Sequence, residues 1–185
     1  MATTITTDTR ALNHVELVYA PGERPLARAL FEVLGFDVRD SGGPFLTGMI
    51  QTGQGDFANN ALYASEVTAE QWVLEQALRA EIAGGALAGP TAGYLDDLRA
   101  HPQRSCHFGI RYPTVGDHDA VIDRIVNVED HAPDLVGRVI LSGVFRPGDP
   151  GSYTDTMTQA FVRTDVIASG LLAFGQHIEL QWQVP

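Results

Sequence analysis

The chain contains a single cysteine, Cys106, so no internal disulfide can hold it together. A lone thiol fits a reducing compartment, and a cytoplasmic location is the expectation. No apolar run approaches the roughly 18 residues that a bilayer span requires. The first residues, Met1 to Thr9, are polar and lack the apolar core of a secretory signal. Basic residues are scarce: 12 Lys+Arg stand against 23 Asp+Glu, a formal net charge of −11. Such a surface repels phosphate backbones and anionic lipid, so neither nucleic acid nor membrane is an expected partner. Phosphate-cradling glycine motifs in a strand-to-helix setting are absent, and so is a G-x-S-x-G elbow. Nucleotide-binding enzymes and serine hydrolases of those types are thereby excluded.

What remains is a globular composition. The chain has 185 residues and is 44% hydrophobic. At that length roughly 70% of the unfolded surface can be buried, enough for a real core. Residues 12–19 are rich in strand formers and stop at Pro21 and Gly22. A helical face follows in Leu26, Leu30, Val33 and Leu34, with Pro25 suited to its first turn and Gly35 to its C-terminal cap. Three short strands are predicted at 36–39, 44–52 and 60–65, separated by Gly42–Gly43 and by the glycines of 53–55.

The second half repeats this order. A strand at 105–112 ends at Pro113. A helix with Val121, Ile122, Ile125 and Val126 on its apolar face comes next. Strands at 136–145, 156–168 and 172–183 complete the set, with a Pro/Gly loop at 146–151. His14 and Tyr19 have counterparts in His107 and Tyr112, each pair followed by a proline. The repeated order and the local match together point to duplication. The expected organisation is a flexible tail at 1–10, a first βαβββ module at 11–67, a helical connector at 68–104 and a second βαβββ module at 105–185. In the connector, Thr68 and Gln71 fit a capping box, and Leu74, Ala77, Leu78 and Ile82 make an apolar stripe. A short helix is expected at 93–100.

Three side chains stand out as chemistry. His14 opens the first strand of one module, His107 opens that of the other, and Glu179 lies in the last strand between His177 and Gln181. In this arrangement the chain resembles the vicinal oxygen chelate superfamily, which includes glyoxalases, bleomycin-resistance proteins and extradiol dioxygenases. The segments around His14, His107 and Glu179 look like its ligand strands. Leu34, Gly35 and Phe36 look like the characteristic exit from its first helix. The resemblance covers most of 11–183 apart from the connector. It implies an α+β fold whose two βαβββ modules form curled mixed sheets around a shared cavity. It also implies a divalent metal held by His14, His107 and Glu179. A fourth ligand common in glyoxalase-like members falls on Ala61 when 60–62 is aligned with 178–180. Glu16 and Glu66 are the nearby carboxylates that stand as alternatives for that place. Two imidazoles and one carboxylate suit Fe(II) best, with Mn, Zn or Ni as alternatives.

Strand alternation puts further residues on the ligand faces. Glu16 shares a face with His14, Arg111 with His107, and His177 and Gln181 with Glu179. His177 is the expected general base, and Arg111 is expected to act in catalysis and on an anionic substrate. Glu16 and Gln181 complete the expected substrate contacts. Cys106 is expected to point into the layer behind and to be structural. His101, His118 and His131 are expected at the surface, and Trp72 and Trp182 in the core or an interface.

The implied function is a metal-dependent enzyme acting on a small substrate with neighbouring oxygens. Extradiol-dioxygenase-like chemistry comes first, with a lyase or isomerase close behind. The alternative is a metal-free small-molecule binding protein of the bleomycin-resistance kind. A homodimer is the one protein partner the resemblance suggests.

Overall fold

The computed structural model describes residues 12–53 and 59–183. The expected tail at 1–10 lies outside them, as do 54–55 of the glycine break and the last two residues of the second module. The first module runs β1 (His14–Tyr19), α1 (Arg24–Val33), β2 (Asp37–Arg39), β3 (Phe45–Met49), β4 (Ala61–Glu66). The connector holds α2 (Ala69–Gly84) and α3 (Ala88–Ala100), followed by a 3-10 turn at Pro102–Arg104. The second module runs β5 (His107–Arg111), α4 (Val115–Val126), α5 (Val128–His131), β6 (Val139–Phe145), β7 (Met157–Thr164), β8 (Gln176–Gln183). The fold is α+β, and both modules are βαβββ.

The two four-stranded sheets have the same topology, β1-β4-β3-β2 and β5-β8-β7-β6. In each, the first strand pairs parallel with the last and the remaining pairs are antiparallel. Each sheet packs one face into a shared core. Leu17, Tyr19, Leu46, Leu62 and Ala64 in one sheet, and Ile110, Ala160, Val162, Ile178 and Leu180 in the other, join α1 and α4 in one continuous apolar core. Because strand neighbours alternate in direction, His14 and Glu16, and likewise His107, His177 and Glu179, fall on the opposite face of their sheets. No helix among the described residues is long and apolar enough to cross a membrane.

The helix ends explain why the modules meet as they do. Gly35, at φ +86°, closes α1 in a Schellman turn: Phe36 N–H donates to Phe31 C=O and Gly35 N–H to Glu32 C=O. That turn leaves the Val33 and Leu34 carbonyls without helical partners. The second module supplies them. Arg124 Nε donates to Val33 C=O at 2.8 Å and Tyr112 Oη to Leu34 C=O at 2.9 Å. At the other end of α1, Arg138 grips Glu23 with both terminal nitrogens at 3.1 and 3.0 Å. Val18 and Ala168 exchange two backbone hydrogen bonds, at 2.8 and 3.0 Å, across the free edge of β1.

The connector departs from its expected pattern. Thr68 does cap α2 by accepting from Gln71 N–H. Yet Leu74 and Ala77 of the expected apolar stripe are exposed, and the one fully buried residue of α2 is Glu75. Its carboxylate accepts the Leu172 and Ala173 N–H groups at 2.7 and 2.9 Å, capping the turn that leads into β8. The face of α2 is thus set by a polar tether. His118 was also expected at the surface, but it is fully buried under β8, its Nε2 3.3 Å from Leu180 C=O. Cys106 is exposed and not directed into a core layer, because it precedes β5 in a bend where alternation does not yet apply.

Removing the Glu75 carboxylate strands two inward N–H groups. Glu75→Ala is expected to lower unfolding free energy by about 3 kcal/mol, and Glu75→Gln by less. Urea titration measures this. Wild-type midpoints for both variants would refute the tether.

Candidate metal centre

The outer face of the second sheet gathers most of the candidate residues. His107 leads β5, positioned by the 3-10 turn before it. Ser105 Oγ donates to Pro102 C=O at 2.6 Å, and the Ser105 carbonyl lies 2.8 Å from His107 Nδ1. A carbonyl can only accept, so Nδ1 carries the proton. In the neutral ring Nε2 then bears a lone pair. That Nε2 lies 3.3 Å from Glu179 Oε2.

Glu179 is only 5% exposed. Its other oxygen, Oε1, accepts from Gln181 Nε2 at 2.8 Å and from Gln159 Nε2. The two amides leave Oε2 directed at His107. With the ring neutral, two lone pairs face each other across 3.3 Å, a conflict that a proton on Nε2 or a metal ion would relieve. A buried carboxylate without a full positive partner is costly for the same reason. Neutral imidazole fixed by a backbone carbonyl and carboxylate fixed by amides is the usual outer shell of a metal site. A Cβ at Gly109 would sit 3.3 Å from Glu179 Oε2, so glycine keeps this space clear. The Gln159 carbonyl oxygen is buried with no hydrogen-bond donor among the described residues. Orphaned acceptor, cleared space and donor set all fit a cation.

His177 lies across from His107 in the β5–β8 register and is 2% exposed. Its Nε2 is 3.1 Å from Ser142 Oγ. Ser142 sits where the β6–β7 register shifts, between Leu141 and Gly143, a bulge that turns its hydroxyl toward β8. Sequence reading missed Ser142, since nothing local marks a bulge there. Phe161 floors the site, with its ring edge-on to His107 at 5.2 Å. Burial, then the charges of Arg163 and His107, push His177 down to about 4. Arg111 is exposed at the end of β5, with Nη1 donating to Gln183 Oε1 at 3.2 Å. It lines a cavity of about 800 Å3 with Gly35, Gln51, Asn60, Arg124 and Gly109, the residue beside Glu179.

The first module does not complete this centre. Among the described residues no group of three His, Cys, Asp or Glu side chains is arranged to hold a metal ion. His14 packs its ring against Tyr63, with centroids 5.4 Å apart, on the outer face of the first sheet. Glu16 is exposed and lines one cavity within that module and another shared with α2 and residues 168–171. Glu66 accepts the Gly22 N–H at 2.9 Å at the far end of β4. The strand register also revises the expected alignment. Ala61 pairs with His14 as His177 pairs with His107, and Tyr63 pairs with Glu16 as Glu179 pairs with Gly109. Tyr63, and not Ala61, holds the place of Glu179.

No family model matches the chain, and none of the curated proteins matches it. Two solved structures are similar. One is described as Oxidase ChaP-H2, at 14% identity and a TM-score of 0.42 over 94% of each chain. The other is the hypothetical protein SA1046 from S. aureus, at 10% identity and a TM-score of 0.41 over 96% of this chain and 94% of that one. Likeness at this level assigns no activity.

A depressed histidine has a definite sign in stability. The unfolded chain takes up the His177 proton near its ordinary value of 6.5, whereas the folded chain resists until about 4. Stability of the metal-free protein is therefore expected to fall as pH drops from 6.5 toward 4. His177→Asn should flatten that slope. Urea midpoints across this range, with proton NMR titration of the ring, check it; a His177 titration near 6.5 would contradict it.

Proposed function

We propose that the chain is a metal-dependent enzyme of the vicinal oxygen chelate type, acting on a small substrate with neighbouring oxygens. The observation that carries this reading is the opposition of His107 Nε2 and Glu179 Oε2 at 3.3 Å. Those two atoms are the proposed ligands from this module. Fe(II) is the favoured ion, with Mn, Zn or Ni as alternatives. Bound there, it would polarise two adjacent substrate oxygens at its open positions. Catechol-like ring cleavage is the favoured reaction, and a lyase or isomerase reaction the next.

The roles of the chain's own groups follow from their contacts. His177 is too buried to meet substrate directly, so a proton reaches its Nε2 through the half-buried Ser142 hydroxyl. Gln159 and Gln181 hold the Glu179 carboxylate, and Gln181 also borders the substrate space. Arg111 keeps most of its guanidinium available to an anionic substrate. His14 is the third ligand under this reading. Since it stands outside the pair within one chain, it is supplied by a second copy, which makes the enzyme a homodimer. A metal-free binding protein is the second reading, favoured by the aromatic cavity of the first module.

Elemental analysis of protein purified without added metal separates these. About one divalent ion per chain is expected, lost in His107→Ala, Glu179→Gln and His14→Ala alike. An equal mixture of re-associated His14→Ala and His107→Ala chains should regain about a quarter of the wild-type metal, because half the dimers then hold one intact site. Oxygen uptake with catechols supports ring cleavage, and metal without uptake supports the lyase or isomerase. Metal-free wild type that still binds small molecules would replace the enzyme reading with the binding protein.

A further inference from the structure

The outer face of the first sheet carries a cavity of about 290 Å3 that the metal reading does not use. Its lining is Glu16, Ser41, Gly43, Pro44, Phe45, Thr47 and Tyr63. Phe45 is 49% exposed, an unusual position for a large ring. It stands edge-on to Tyr63 at 6.3 Å, and the His14 ring backs the same tyrosine. Two aromatic rings and a proline thus form an apolar wall, and among the described lining residues the one charged side chain is Glu16.

The wall is held in place before any ligand arrives. Arg24, at the start of α1, reaches the loop between β2 and β3. Its Nε and Nη2 donate to Asp40 at 3.1 and 2.6 Å, Nη1 to Gly43 C=O at 2.8 Å, and Nη2 also to Phe45 C=O at 3.1 Å. Asp40 accepts the Gly42 N–H as well. Arg24 thereby pins both flanks of Pro44 and orients the Phe45 backbone. Its own charge is spent on Asp40, whose carboxyl it holds down at about 2. A preformed wall reduces the ordering cost of binding.

We propose that this cavity is a binding site for a small planar aromatic cation, with its ring against Phe45 and Tyr63 and its charge on Glu16. The volume is at the lower end of the roughly 300–1,000 Å3 typical of ligand pockets, which limits the ligand to about one ring. Ring faces and a carboxylate both attract a cation. The net charge of −11 adds to that attraction and disfavours anions. A neutral ring of the same shape desolvates Glu16 without replacing its hydrogen bonds, so it binds more weakly. The site shares no residue with the His107–Glu179 pair, although the proposed ligand His14 backs its Tyr63 ring, and it is read in the metal-free chain.

The matched probes are benzamidine, a planar cation, and benzamide, its neutral counterpart, titrated by calorimetry or by NMR shifts of Tyr63 and Phe45. Benzamidine is expected to bind at least about tenfold more tightly than benzamide. Glu16→Gln should abolish that preference, and Phe45→Ala should weaken both probes. Arg24→Gln, which frees the loop, should also weaken both. Wild-type protein stripped of metal with a chelator should show the same preference, so a failed metal reading leaves this result intact. Equal affinities, no saturable binding of either probe, or a preference that survives Glu16→Gln would each overturn the proposal.

Discussion

A single proton fixes the chemistry of the second module. The Ser105 carbonyl requires N–H on His107 Nδ1, and that requirement sends the ring's lone pair toward the Glu179 carboxylate. Gln159 and Gln181 hold the carboxylate from the other side. The pair is therefore assembled with its acceptors opposed and its donors already used. Water would relieve such a conflict at the surface, but Glu179 is nearly closed off from solvent. Either a proton or a metal ion can stand between the two atoms. A proton would make an ordinary ion pair, which needs neither the space left by Gly109 nor two amides on the far carboxylate oxygen. Under the proposed function, the surrounding order would hold an ion of fixed position.

Duplication gives the two modules one frame and two different faces. The register is identical, so each position in β1 and β4 has a partner in β5 and β8. His14 and His107 are equivalent, but their neighbours are not. Beside His107 stand His177, Gly109 and Glu179; in the equivalent places beside His14 stand Ala61, Glu16 and Tyr63. The carboxylate has in effect moved from the last strand to the first, and an aromatic ring has taken its place. A tyrosine next to the imidazole fills the space that the second module keeps open. The same frame thus presents an imidazole–carboxylate pair on one sheet and an aromatic wall on the other.

How much of this was legible in the sequence depends on the range of the interactions involved. Strand order, the position of α1 and its glycine cap follow from local rules, because periodicity and turn chemistry act over a few residues. His107 and Glu179 were visible as a pair because both lie in alternating strands whose faces can be counted. Ser142, Glu75 and His118 were not. Each is defined by a partner far along the chain: His177, the turn at Leu172 and the Leu180 carbonyl. A polar residue inside an apolar helix reads locally as solvated, and only the tertiary partner shows that it is buried. The alignment of Ala61 with Glu179 failed for a related reason. A strand slipped by two keeps the same face, so alternation alone cannot detect the error.

The shared core also limits what one chain can do. Both sheets place their apolar faces on α1 and α4, and the links from Arg124, Tyr112 and Arg138 hold the modules in that relation. Turning the outer faces toward each other within a chain would expose this core and leave the Val33 and Leu34 carbonyls unpaired again. That cost greatly exceeds what a single additional metal ligand returns. An outer face needing more ligands gains them at far lower cost from another molecule that offers the complementary face. Duplication followed by divergence supplies such a face, since each copy of the chain carries both kinds.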